Sequence, residues 1–298
     1  MCPYCKSVRG LSKSGSYLRK SDKKRLRRFK CLECKVSFSE TVFSIDYRLR
    51  KRDINQGVFT ILCSGVSQRR TAYAFSIKPI GIARRVDRFG RCAAHNLDAY
   101  RRTRPKVAIV QLDEMESFEH TKCKPLTIPI AVEQGTRKIL SLKVGVIAAK
   151  GRLAAISRER YGKRKCQRQQ CLDAVLTDLK ICFVETGLIK SDQSPHYPKP
   201  FKKHFPLAHH QATKGMRGSD TGLGELKKGG FDPIFSLNHS YAMFRDNLKT
   251  LSRRTWCTSK RMERLELLMN MYAWFHNLRL DNKKKPVKLC WLDPAPIG

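Results

Sequence analysis

The sequence predicts a multidomain protein in which a small cysteine-stapled β domain and a helical domain precede an α/β domain with a mixed sheet flanked by helices. Three observations predict this order: two Cys-x-x-Cys pairs within the first 34 residues, amphipathic helical stretches around a tight turn between residues 54 and 89, and three strand-like runs starting at Val107. The predicted domains span 1–45, 46–100 and 106–298. A glycine-rich segment at 211–230 predicts a mobile loop.

The charge balance is far from that of an ordinary globular protein. The 298 residues carry 61 Lys and Arg against 25 Asp and Glu, a formal net charge of +36. Such a field predicts a polyanionic partner, because each phosphate contact releases counterions. The charge alone fits an RNA-binding protein such as a ribosomal protein equally well. The hydrophobic fraction of 41% predicts a folded chain, and the sequence shows no apolar run that predicts a membrane span.

The two cysteine pairs predict a zinc ribbon. A tetrahedral zinc ion takes four thiolates, and each Cys-x-x-Cys turn supplies two of them. The chain has twelve cysteines and shows no secretion signal, which favours thiols and metal ligands over disulfides. Four reduced, unligated cysteines are the alternative. The predicted zinc ligands are Cys2, Cys5, Cys31 and Cys34.

A basic tip lies between the two cysteine pairs. In a zinc-ordered hairpin of a basic protein, such a tip favours contact with phosphate, although a solvated turn would have the same composition. The predicted contacts are Lys23, Lys24, Arg25, Arg27 and Arg28.

The region after Lys51 predicts a helix-turn-helix. Ile54, Val58 and Leu62 recur every four residues, a second short helix follows at 65–75, and a basic helix follows the turn at 76–79. In a helix-turn-helix, the second helix lies in the major groove of DNA. A plain helical linker domain is the alternative, because it would show the same periodicity. The predicted DNA contacts here are Arg69, Arg70, Lys78, Arg84, Arg85 and Arg88.

The remainder predicts an RNase H-like α/β domain from the order of its elements. Three strands are followed by a helix, a short strand, a further strand candidate and two long helices. These elements are predicted at Val107–Phe118, Leu126–Val132, Ile139–Ile147, Cys166–Leu179, Leu188–Ser191, His204–His209, Asn238–Leu251 and Lys260–Leu278.

Acidic residues are scarce, so their clustering is informative. Asp113 lies in an acidic run at the end of the first strand, and Asp192 follows the fourth strand. In an RNase H-like sheet these positions are neighbours. Two carboxylates with a third oxygen ligand can hold a pair of divalent ions for phosphoryl transfer. The alternative is that both are surface acids at strand ends.

The chain resembles the transposases of the insertion-sequence-one family over nearly its whole length. The most specific match is the block Asn238-His-Ser-Tyr-Ala-Met-Phe-Arg245 followed by Leu251-Ser-Arg-Arg-Thr-Trp-Cys-Thr-Ser-Lys260. The resemblance implies Mg²⁺ or Mn²⁺ held by Asp113, Asp192 and the position of Asn238. It also implies DNA contacts at Arg245, Arg253 and Arg254.

The resemblance implies a bacterial, DNA-associated cytoplasmic enzyme that works on double-stranded DNA as a homodimer or larger assembly. Such an enzyme binds terminal inverted repeats, cleaves strands and joins 3′ ends to target DNA. The family's third ligand is glutamate, whereas this chain has Asn238. Asparagine is also a favoured helix cap, so Asn238 is predicted as ligand, cap or both, with Asp246 as the second candidate ligand. The alternative function is that of an inactive copy that only binds DNA.

Overall fold

The computed structural model describes residues 1–214, 232–252, 256–282 and 285–289. Its first unit is a three-stranded antiparallel sheet in the order β1-β2-β3. The long hairpin spans the gap between the two cysteine pairs. The buried hydrophobic cluster of this unit consists of Cys2, Cys31, Phe38 and Val42, and Leu26 is buried outside that cluster. The strands are β1 (Leu11–Leu18), β2 (Arg25–Cys31) and β3 (Ser37–Ser39).

Three helices follow. Ser67 caps the second of them, accepting a hydrogen bond from the backbone N–H of Arg70, and Pro79 opens the third. The third helix runs for 25 residues, well past its predicted end at Phe89, because buried residues recur along it as far as Leu97. The helices are α1 (Asn55–Leu62), α2 (Gln68–Ala74) and α3 (Pro79–Thr103).

The predicted mixed sheet flanked by helices is confirmed. Its strand order is β6-β5-β4-β8-β9, with β7 paired to β5. The pairs of β5 with β4 and β6 are antiparallel, whereas β4, β8 and β9 run parallel. The strands are β4 (Val107–Phe118), β5 (Pro125–Glu133), β6 (Ile139–Leu142), β7 (Gly145–Val146), β8 (Phe183–Asp192) and β9 (His209–Thr213).

Five helices complete the described part of this region, and two of them, at Leu153–Tyr161 and Pro198–His204, were missed by the sequence prediction. Helix α4 buries only Ser157, so its sequence carries no apolar repeat. The strand predicted at 204–209 is wrong. A helix that opens on Pro198 ends at His204, and the strand begins at His209. The helices are α4 (Leu153–Tyr161), α5 (Arg168–Leu179), α6 (Pro198–His204), α7 (Phe235–Asn247) and α8 (Met262–Asp281).

The mobile loop predicted at 211–230 is wrong in its first residues, because 211–213 belong to β9. The backbone of β9 pairs in parallel with β8 from His209 to Thr213. Such pairing overrides the polar, glycine-rich composition that favoured a loop. Residues 215–230 of the predicted loop lie outside the described residues.

One hydrophobic core joins the helical segment to the sheet. It includes Phe59 and Phe89 of the helices, Ile130 of β5, and Phe244 and Phe275 of the last two helices. The rings of Phe59 and Phe275 lie 5.7 Å apart, edge to face. A second core on α5 and α6 covers the other face of the sheet. The division at 100–106 into two domains stays a prediction, and α3 crosses residue 100 without interruption.

Candidate acidic site and basic surface

The sheet register brings Asp113 and Asp192 together. Val110 pairs with Ile189 and Gln111 with Lys190 across the parallel strands β4 and β8. Two residues further along each strand lie Asp113 and Asp192, so the two carboxylates occupy neighbouring positions on the same face of the sheet.

Ion pairing distinguishes these two aspartates from the other acids of the cluster. Among the described residues, neither Asp113 nor Asp192 lies in an ion pair. The other three acids each have a basic partner: Glu114 with Arg168 at 3.3 Å, Glu116 with Lys150 at 3.0 Å, and Glu119 with Arg164 at 4.0 Å. Asp113 and Asp192 are therefore the acids at this site whose charge no cationic side chain of the described structure compensates.

The surroundings of Asp113 disfavour the charged form of its carboxylate. Its Oδ1 accepts hydrogen bonds from the backbone N–H of Glu114 at 2.7 Å and the hydroxyl of Tyr197 at 2.9 Å. Burial and, secondly, the charge of Asp192 raise the pKa of Asp113 from 3.8 to about 6. Oxygen donors with uncompensated negative charge fit Mg²⁺ or Mn²⁺. The residues present thus suit the divalent ions that the sequence predicts.

Two tyrosines at this site were missed by the sequence analysis. Tyr197 is 1% exposed and stacks on Phe201 at 5.4 Å. The Tyr241 hydroxyl, from α7, is buried without a hydrogen-bond partner in the described structure. Burial and the charge of Asp113 hold the pKa of Tyr241 well above its ordinary value. Tyr197 has no sequence signal. The helical repeat of Tyr241 and Phe244 predicts that Tyr241 is buried, but not that it lies beside Asp113.

The N-terminus of α7 docks beside the acidic pair. Gln111 is on the same face of β4 as Asp113, and its amide bonds both the carbonyl of Pro233, at 3.1 Å, and the N–H of Leu237, at 2.9 Å. Asn238 is exposed on this docked turn, and its Nδ2 donates to Asp232 Oδ2 at 2.7 Å. The structure therefore bonds Asn238 to Asp232 and to neither aspartate of the pair.

The helix-cap role considered for Asn238 is wrong. Helix α7 begins at Phe235, and its N-cap residue is Ile234, which makes no side-chain cap bond. Asn238 therefore lies within the first turns of the helix, where the N–H of Asn238 itself bonds to the carbonyl of Ile234. The other candidate ligand, Asp246, is at the opposite end of α7.

The predicted basic tip is exposed on the hairpin of β1 and β2. Lys23 occupies a turn position with φ of 54°. Arg27 is drawn back to Glu40, with Nε 2.9 Å from the carboxylate, yet its side chain stays 70% exposed. The exposed members are Lys23, Lys24, Arg25, Arg27 and Arg28.

The arginines of α3 divide into exposed and internal ones. Arg84 is exposed, as are Arg69, Arg70 and Lys78. Arg85 is only 3% exposed.

The guanidinium of Arg85 is used inside the protein. It donates to Asn55 Oδ1 at 2.7 Å and to the carbonyls of Lys51, at 2.8 Å, and Gly81, at 3.1 Å. Arg88 is half-buried and donates to the carbonyl of Ser44 at 2.8 Å. Arg85 and Arg88 thus tie α3 to the segment before α1 instead of facing outward.

Of the remaining predicted DNA contacts, Arg245 lies in the last turn of α7. The guanidinium carbon of Arg245 lies 5.9 Å from the centre of the Tyr241 ring. Arg253 and Arg254 lie outside the described residues.

The four predicted zinc ligands converge. Their sulfur atoms all lie within 4.8 Å of one another. Cys2 Sγ is 3.7 Å from Cys34 Sγ, and Cys5 Sγ is 3.6 Å from Cys31 Sγ. A disulfide would require about 2.05 Å, whereas four thiolates about 2.3 Å from one ion lie roughly 3.8 Å apart. The cluster is compatible with a zinc ribbon.

Across the described ranges, no helix combines the length and apolar character required to cross a bilayer.

Comparisons with known proteins assign no family. No family model and no curated protein matches the chain. The chain is similar to three crystal structures of the Mos1 mariner transposase system. The strand transfer complex gives 10% identity and a TM-score of 0.30, over 79% of this chain and 77% of the other. The catalytic domain shows 12% identity and a TM-score of 0.23, and the match covers 64% of this chain and 90% of the other. The pre-cleavage transpososome shows 10% identity and a TM-score of 0.23, and the match covers 75% of this chain and 76% of the other. Scores this low establish neither a shared fold nor a shared activity.

Proposed function

We propose that this protein is the DNA transposase of an insertion sequence. The observation that carries the proposal is the Asp113–Asp192 pair, whose two neighbouring carboxylates lack a cationic partner in the described structure although the chain has a net charge of +36. A protein with so many cations that leaves two neighbouring carboxylates unpaired has a place for divalent ions beside bound phosphate.

The chemistry is phosphoryl transfer on double-stranded DNA. In the first step, water attacks a phosphorus atom at the element's end, and the broken P–O bond leaves a 3′-hydroxyl. In the second, that hydroxyl attacks a phosphorus of the target, forming a new phosphodiester and releasing a target 3′-hydroxyl. Mg²⁺ or Mn²⁺ bound at the site would activate the attacking oxygen and stabilise the leaving one.

The chain's own residues have separate roles in this proposal. Asp113 and Asp192 hold the ions, and Tyr197 fixes the rotamer of Asp113 through its hydroxyl. The third oxygen ligand is either the amide oxygen of Asn238 or a carboxylate oxygen of Asp232, which Asn238 holds in place through its hydrogen bond. A neutral amide would bind Mg²⁺ more weakly than the glutamate of the resembling family does.

The binding half recognises the terminal inverted repeats. Zinc held by the four cysteines orders the hairpin and its basic tip. Helices α2 and α3 act as a helix-turn-helix, with Arg69, Arg70, Lys78 and Arg84 exposed toward DNA. The enzyme works in the bacterial cytoplasm on DNA, as a homodimer or larger assembly that holds two element ends.

A second candidate is a DNA-binding copy without activity. The observation that favours it is Asn238, which is exposed and bonded to Asp232 instead of to the aspartate pair. Such a copy would still occupy element ends through its basic surface.

One assay separates the two. The full-length protein is incubated with Mg²⁺ and duplexes of the DNA that flanks its coding sequence, and nicks and joined products are measured. Asp113→Ala and Asp192→Ala should abolish both while retaining DNA binding. Glu116→Ala is the matched control, because Glu116 is in the same strand but is paired with Lys150. Binding without nicking by the wild type would establish the inactive copy, and full activity of either aspartate variant would remove that residue from the site.

A further inference from the structure

Trp256 is the most exposed large apolar side chain in the described structure, with 99% of its surface open to solvent. Tryptophan is rarely left so open, because burying its indole stabilises a fold by several kcal/mol. Trp274 shows the ordinary behaviour, since it packs against Tyr100 at 6.2 Å. An indole held in solvent is available to a partner.

Trp256 is at the edge of a cavity of about 450 Å³ between the helical segment and α8. The floor of the cavity is apolar and consists of Leu62, Val86 and Leu268. A cavity of this size and floor is typical of a site for a flat organic group.

The rim of the same cavity is strongly basic. Among the described residues, none of its four outer cations lies in an ion pair, so their charge is available to an anion. These cations are Arg69, Lys249, Lys260 and Arg261, and all four are exposed. An apolar floor, an open indole and free cations together match a nucleotide, in which a flat base is linked to a charged phosphate.

The segment that carries Trp256 is tied to the strand of the acidic pair. The N–H of His120 donates to the carbonyl of Ser259 at 2.7 Å, and Glu119 bridges to Ser259. Both contacts are at the end of β4, the strand that holds Asp113. DNA held at Trp256 would therefore be positioned relative to the strand that carries the chemistry.

We infer that Trp256 and this cavity bind one unpaired base of the DNA, stacked on the indole, with its phosphate held by the basic rim. The inference rests on the proposed DNA function. A base inside a duplex is stacked on both faces, so only a base that has left the stack can offer a face to Trp256.

The test uses the full-length protein and two duplexes of equal length, one fully paired and one with a single bulged base. Affinities are measured by fluorescence anisotropy. Trp256→Ala should lose about tenfold in affinity for the bulged duplex and stay within about twofold of wild type on the paired one. Trp256→Phe should retain most of the affinity, because phenylalanine also stacks. Tyr161→Ala removes an aromatic side chain that is 41% exposed on α4 and should change neither affinity.

A 2-aminopurine at the bulge gives a second readout, because stacking on an indole quenches its fluorescence. Quenching by wild type that is lost in Trp256→Ala supports the inference. Equal affinities of wild type and Trp256→Ala for the bulged duplex, or equal losses on both duplexes, would overturn it while the DNA function stands. If wild type binds neither duplex, the proposed function and this inference both fail.

Discussion

At the scale of the residue, Asp113 is charged in a position where both burial and a neighbouring carboxylate oppose its charge. Its folded-state pKa of about 6 lies above the ordinary value of 3.8. The cost of ionising it in the folded protein is absent below about pH 4, grows between pH 4 and 6, and is complete above pH 6. A shift of this size corresponds to about 3 kcal/mol.

Asp113→Asn should therefore stabilise the protein at neutral pH. The amide oxygen can still accept from Glu114 and Tyr197, while the charge is gone. We expect a free energy of unfolding about 2 kcal/mol above wild type at pH 7.5 without divalent ions, and no gain at pH 4. Urea unfolding at both pH values measures this. Mg²⁺ should raise the Tm of wild type but not of Asp113→Asn. Equal stabilities of the two proteins at pH 7.5 would contradict the electrostatic reasoning.

The hydrogen bond between Asn238 and Asp232 should affect how tightly the proposed site binds Mg²⁺. Asn238→Glu would place a carboxylate against Asp232, which now accepts a hydrogen bond at 2.7 Å. The repulsion favours binding of a divalent ion, so the Mg²⁺ concentration for half-maximal nicking should fall. In Asn238→Ala it should rise by about tenfold, as for loss of a ligand's support.

Asp232→Asn is the matched variant for the Mg²⁺ titration. An equal rise in Asp232→Asn and Asn238→Ala would mean that the two residues act as a unit. Wild-type activity of Asn238→Ala at every Mg²⁺ concentration would exclude Asn238 from the site.

At the scale of the element, the three-stranded N-terminal sheet has too small a core to fold without the zinc ion that we propose for its four cysteines. Four buried residues make up that core, two of them cysteines of the cluster. The larger core shares no member with it. Loss of the zinc ion should therefore unfold the N-terminal sheet and leave the domain built on the larger core folded.

Cys34→Ser should unfold residues 1–45 and weaken DNA binding while the remaining chain stays folded. Hydrogen exchange should show lost protection in β1 to β3 alone, and elemental analysis should find one zinc in wild type. Cys166→Ser, at an exposed cysteine outside the cluster, is the control and should keep the zinc. Wild-type protein purified without chelator and found free of zinc would refute the ribbon.

Helix α3 carries two adjacent arginines with opposite expected effects. Arg85→Ala should destabilise the fold by about 3 kcal/mol, because Asn55 and several carbonyls lose a buried charged donor. Arg84→Ala should leave stability within about 0.5 kcal/mol and weaken binding to the element's ends by about 1–3 kcal/mol if Arg84 reads a base. Denaturant curves and binding to specific and random duplexes test both. An equal loss on the two duplexes would make Arg84 a phosphate contact.

At the scale of the whole molecule, α3 and α8 hold the helical segment against the sheet. They approach closely at Gly90, where an added Cβ would lie 2.5 Å from the carbonyl oxygen of Leu267. A side chain there would push two backbones apart and disturb the core that both halves share.

Gly90→Ala should destabilise the protein by about 2 kcal/mol through this overpacking. Gly81→Ala is the matched control in the same helix, because its nearest neighbour is the Ile77 side chain at 3.4 Å. It should be neutral or gain about 0.5 kcal/mol. Both are measured by urea unfolding, which should show a single transition for the shared core. Similar stabilities of the two variants would contradict the close approach.

The sequence alone determined the features that depend on local pattern. The spacing of Cys2, Cys5, Cys31 and Cys34 predicted a cluster that the structure brings together. Alternating and apolar runs predicted the bounds of β4, and the RNase H-like order of the predicted elements placed Asp113 and Asp192 on neighbouring strands, although Asp113 lies inside β4 and not at its end. A Cys-x-x-Cys turn and the periodicity of a strand each depend on residues that are close together in the chain, so both can be recognised without the fold.

Only the tertiary structure decided which side chain meets which across the chain. It placed Tyr197 on Asp113, 84 residues away, and bonded Asn238 to Asp232 instead of making it a cap. It also separated Arg84 from Arg85, which share composition and helix but not burial. Such distinctions depend on how a helix is rotated relative to its neighbours and on which strand a loop packs against. Both are set by the packing of the whole core, because distant segments can bury their apolar surface only together.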